Sequence, residues 1–124
     1  MKYEVAPDIQ AKAEAFCKVL FPHVKTWRIK CFRSFGSSSK YTIARCHTIG
    51  KLMQQTIGVK AHYGLEFLSE QFDKLSEEEQ LKVILHELMH IPKTFGGGFK
   101  HHNWVTDRNV NKMFVEFNKR KNET

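Results

Sequence analysis

The sequence has no apolar run approaching the roughly 18 residues that a membrane-spanning helix needs. It also has no CxxC pair. Its three cysteines, Cys17, Cys31 and Cys46, are odd in number and scattered, which argues against a disulfide framework and fits a reducing compartment. Cysteines of this kind read as small buried hydrophobes. The opening stretch MKYEVAPDIQAKAEAF carries acids early and lacks the apolar segment of a secretory signal, so the expected location is the cytoplasm. Proline occurs three times, and Pro22 and Pro92 are expected to end helices. No internal repeat is visible, and 124 residues leave no length for a separate substrate domain. Residues 1–124 are expected to form one domain, with 118–124 a frayed tail.

What the chain does have is apolar residues enough for a core, 41% of the total and ten Phe among them, and an uneven positive charge. The net charge is +7, made of +8 over residues 1–60, −5 over 61–90 and +4 over 91–124. A basic surface beside an acidic segment can steer an anionic partner, although charge alone is a weak sign of nucleic-acid binding.

Periodicity supplies the elements. Ile9, Ala13, Phe16, Cys17 and Leu20 recur at helical spacing, so residues 8–21 read as a helix. Trp27, Ile29 and Cys31 alternate with Arg28 and Lys30 as in a strand, and the turn-rich FGSSSK leads to a second alternating run at 41–47, expected to pair with the first. Ile49, Leu52, Met53 and Ile57 return to helical spacing, with Gly58 as C-cap. Residues 61–68 place Ala61, Tyr63, Leu65 and Phe67 on one face of a third strand. Ser76 and Glu79 form a capping box ahead of a helix over 76–90, whose first turn also holds Glu77 and Glu78. Thr106 and Asp107 open a last helix bearing Val110, Met113, Phe114 and Phe117.

The 76–90 helix carries the chemistry. Leu81, Ile84, Leu85 and Leu88 share a core-facing stripe, while HELMH at 86–90 puts His86 and His90 one turn apart on a flanking face. Side chains so spaced have Cβ atoms about 5–6 Å apart, close enough for two imidazoles to reach one ion. Zinc suits them, since it accepts neutral imidazole and tolerates an open coordination position. Glu87 lies beside His86. It can reach a water on such a metal, take its proton and pass it to a leaving amine. With seven His and ten Glu in the chain, HExxH arises by chance in about three of a hundred such sequences, so its setting must decide. That setting is a well-capped helix followed by a glycine-rich loop with more histidines, FGGGFKHH. A third ligand at the sixth residue past His90 would be Gly96, and the only glutamate of the last helix is Glu116. The loop offers His101 or His102 instead. Arg45, Tyr63, His101 and Arg108 are all candidates to stabilise an oxyanion, and the sequence singles out none.

HELMHIPKTFGGGFKHH, with the preceding FRSFGSSSKYTIARCH and YGLEFLSEQFDKLS, resembles the small metallopeptidases of phages and archaea, which are similar in turn to SprT-like and other minimal zincins. The resemblance covers residues 30–117. It implies an α+β fold: a minimal zincin-like core of about three strands, an active-site helix and flanking helices. It implies Zn2+ held by His86, His90 and a loop histidine, placed at His102, with Glu87 as catalytic base acting on peptide bonds of a protein or peptide substrate. It implies host-cell cytoplasm if the chain is phage-encoded. Strand 61–68 would be the edge that takes substrate backbone, with Tyr63 or Glu66 near it, and Phe95, Phe99 and the acidic 66–79 segment would shape specificity. A second reading is a basic nucleic-acid-associated zinc module without peptidase activity, binding through Lys25, Arg28, Lys30, Arg33, Lys40 and Arg45, with Trp27, Phe32, Phe35 and Tyr41 available for base stacking.

Overall fold

A computed structural model describes residues 1–100 and 103–121. The chain runs β1 (Lys2–Val5), α1 (Pro7–Leu20), a short 3-10 turn (Thr26–Arg28), β2 (Ile29–Phe35), β3 (Ala44–Thr48), α2 (Lys51–Ile57), β4 (Tyr63–Leu68), α3 (Ser69–Phe72), α4 (Glu77–Met89) and α5 (Asp107–Lys121). The strands form one mixed sheet in the order β1-β2-β4-β3. The α+β class and a zincin-like core of sheet plus helices are therefore as expected, with four strands in place of about three.

Two expectations about the sheet are overturned. The 41–47 run does not pair with the strand before it. β2 pairs in parallel with β4, and β3 pairs antiparallel with the other side of β4. Strand 61–68 is thus interior, and the edge beside the helix that carries HELMH is β3. Alternation shows which face a strand buries and is silent about its neighbours. β4 is buried at five of its six positions and is flanked by β2 and β3. The added strand, β1, is exposed at all four residues and pairs antiparallel with β2 at the far edge.

The helices form as their punctuation dictates. Pro7 opens α1, where its missing N–H costs nothing, and Ile9, Ala13, Phe16 and Cys17 turn its apolar stripe inward. Gly58 caps α2 at φ 80°. The Ser76 hydroxyl accepts from the Glu79 N–H at 3.2 Å while the Glu79 carboxylate accepts from the Ser76 N–H at 3.1 Å, so the capping box of α4 forms in full. α5 runs as helix through Lys121, and the rest of the tail expected to fray, 122–124, lies outside the described residues. One apolar core lies between the sheet and α1, α4 and α5. It is built from Phe16, Tyr63, Leu65, Phe67, Ile84, Leu85 and Leu88, with Phe117 of α5 4.5 Å from Phe16 between ring centroids. Among the described residues, no helix is long and apolar enough to cross a membrane.

Candidate metal and catalytic site

α4 is anchored by Ile84, Leu85, Leu88 and Met89 in the core, which fixes its rotation and sends His86, Glu87 and His90 toward the edge strand β3. His86 Nε2 and His90 Nε2 stand 3.3 Å apart. Two nitrogens at about 2.0–2.1 Å from one tetrahedral zinc would stand about 3.3–3.4 Å apart, so the pair matches a zinc edge. His90 Nδ1 lies 3.0 Å from the carbonyl oxygen of Lys100. A carbonyl only accepts, so Nδ1 carries the hydrogen and the Nε2 lone pair points outward, the tautomer a metal requires. The same residues are joined a second time, Lys100 N–H donating to the His90 carbonyl at 2.8 Å. The donor set therefore fits zinc through two imidazoles. Among the described residues no third histidine, cysteine or carboxylate completes a cluster. His101 and His102 lie outside the described residues. Glu116 is drawn to Arg120 at 2.6 Å and lines neither cleft at the motif.

Glu87 is 6% exposed, and burial pushes its carboxyl up to about 7. Its Oε2 is 3.9 Å from His86 Nε2. A carboxyl poised near neutral pH gains and loses a proton readily, which is what a general base needs. Cys46 of β3 lines the same cleft, and its thiol is driven up to about 12 by burial and then by Glu87, so it stays protonated.

Two clefts meet at the motif. One of about 580 Å³ is lined by Ala44, Cys46, His86, Glu87, His90, Phe99 and Lys100. The other, of about 500 Å³, shares Ala44, His86 and Glu87 and extends to Tyr41, Val83, Asp107 and Val110. Together they make a groove along β3, with the motif at its middle. A sequence model of the family described as putative phage metallopeptidase matches residues 1–120. The chain belongs to this family. No curated protein and no solved structure matches it.

The remaining sequence candidates divide on either side of this groove. Phe99 lines it, whereas Phe95 is buried against Tyr63. Glu66 and Arg45 are on the opposite face of the sheet, 3.3 Å from one another, so Arg45 faces away from the motif. The Tyr63 hydroxyl is occupied by the Gly97 N–H and the Gly98 carbonyl. Arg33 is held by Asp8 and Asp73, while Trp27 and Tyr41 are exposed. Sequence reasoning missed the roles of β3 as the edge and of Gln54, whose side chain reaches the glycine loop. No local pattern signals either, because both arise from contacts between distant segments.

Proposed function

We propose that this metallopeptidase is a zinc enzyme that hydrolyses peptide bonds, with His86, His90 and His102 holding the metal and Glu87 as general base. The observation that carries the reading is the pairing of two imidazole nitrogens 3.3 Å apart with a buried carboxyl raised to about 7 in the same groove. Bound zinc would supply a Lewis acid for the substrate carbonyl and lower the pKa of a coordinated water. Glu87 then accepts the proton of the attacking water and delivers it to the amine that leaves. His90 is kept in the required tautomer by the Lys100 carbonyl. β3 pairs with β4 alone among the strands, which leaves its outer edge to accept an extended substrate by strand addition. Lys100 is bonded to His90 immediately before His101 and His102 in the chain, which favours a loop histidine as third ligand.

Cleavage of casein, or of the chain itself at high concentration, should vanish with a chelator and return with zinc. Tight zinc binding without cleavage of any member of a broad peptide library would sink the peptidase reading. His102→Ala should weaken zinc binding far more than His101→Ala in competition with a chromogenic chelator. The reverse order would move the ligand by one residue, and no effect of either would demand a different third ligand.

A further inference from the structure

The loop between His90 and Lys100 contains no helix or strand, yet its three glycines are held from outside the loop. The Tyr63 side chain, 2% exposed at the start of β4, accepts a hydrogen bond from the Gly97 N–H at 3.1 Å and donates its own hydroxyl hydrogen to the Gly98 carbonyl at 2.8 Å. The Gln54 amide of α2 donates to the Gly96 carbonyl at 3.0 Å and to the Ile49 carbonyl at 2.8 Å, which uses both its hydrogens. Only the middle glycine is forced. Gly97 has φ 103°, and a Cβ there would lie 2.5 Å from Gln54 Nε2 and 2.7 Å from the Ile49 oxygen. A Cβ on Gly98 would meet nothing within 4 Å, and one on Gly96 only Thr94 at 3.7 Å. The loop is shaped around the Gln54 amide.

We propose that Tyr63 and Gln54 are positioning residues that clamp the 96–98 backbone and thereby set the metal site. The inference rests on the zinc reading above. The clamp acts two residues ahead of Lys100, whose carbonyl orients His90 and whose successors are the candidate third ligands. Two separate elements, β4 and α2, fix the same three peptide groups, so the distance from His90 around the loop and back is not left to the glycines. Groups that orient ligands from outside the coordination sphere change metal affinity by about 10–100-fold when removed.

The test uses Tyr63→Phe, which keeps the ring packed against Phe95 and Phe99 and deletes only the hydroxyl. A second variant is Gln54→Met, on a helix with no buried residue, so the core is untouched. Both should lower zinc affinity by about 10–100-fold and shift the visible absorption bands of the cobalt-substituted protein, a geometric signature that mere destabilisation would not give. In the metal-free protein, the Gly97 amide should exchange with solvent faster in Tyr63→Phe than in the wild type. Unchanged affinity and cobalt spectra in both variants would overturn the proposal while leaving the zinc reading intact. Unchanged Gly97 exchange would overturn it without reference to metal. A wild-type protein that takes up no metal would bring down the zinc reading, and the metal role of the clamp with it.

Discussion

The sheet buries a carboxylate on each of its faces, and the two meet opposite fates. On the helix-covered face Glu87 is 6% exposed, has no Lys or Arg paired with it among the described residues, and is raised to about 7 by burial. On the other face Glu66 is 3% exposed, and burial there also works against its charge. The Ser34 hydroxyl, then His47 at 2.7 Å and Arg45 at 3.3 Å, nevertheless hold its carboxyl below the ordinary value. β3 separates them by simple alternation. Ala44 and Cys46 line the groove with Glu87, while Arg45 and His47 turn to Glu66. Burial alone therefore does not mark a functional acid. The carboxylate that burial leaves without a structural counter-charge is the one able to move a proton.

The strongest way to break this comparison is to neutralise each acid in turn. Glu87→Gln is nearly isosteric but cannot accept a proton, so cleavage should fall by about 10²–10⁴-fold with zinc content unchanged. Glu66→Gln should leave the rate per folded molecule as it was. Equal cleavage by wild type and Glu87→Gln would remove Glu87 as the base.

Stability should respond next, and with opposite signs. The Glu87 carboxyl lies near 7 in the folded protein against an ordinary 4.5, so the folded state keeps a proton that the unfolded chain releases. Its cost is absent below pH 4.5, grows as pH rises through that window, and reaches about 3 kcal/mol above pH 7. Metal-free Glu87→Gln should therefore resist urea better than wild type by about 3 kcal/mol at pH 8 and equally at pH 4. A wild type that is the more stable of the two at pH 8 would contradict this.

The smallest effect belongs to Glu66. Its folded pKa is lowered, so its contribution is present above the ordinary carboxylate range and is lost as pH falls through the folded value. Its partners are partly exposed, which discounts the ion pairs. Glu66→Gln should cost about 1–2 kcal/mol at pH 7 by urea unfolding, with the gap closing in acid. A gap that widens in acid would overturn the pairing.

The sequence showed one side of this contrast and hid the other. The capping box at Ser76 and Glu79, the apolar stripe of α4 and the HExxH spacing are local patterns, and each formed where expected. The pairing of β2 with β4 depends on contacts between segments more than 25 residues apart, as Ile29 with Tyr63, and the interior place of β4 needs the further pairing with β3. Alternation reports burial without naming the partner. β1 was missed because four exposed residues, KYEV, carry no buried face to detect. The ion pairs of Glu66 and the grip of Tyr63 and Gln54 on the glycine loop were equally illegible, since tertiary pairing alone brings them together.

The contrast between the two acids has catalytic meaning only if a metal sits beside Glu87, and zinc titration of the dialysed, metal-free protein tests that most directly. The account predicts tight uptake of about one zinc per chain, unchanged in Glu66→Gln and lost when His86 and His90 are both replaced by alanine. A folded chain that takes up no zinc, or one whose uptake survives the loss of both histidines, would contradict it.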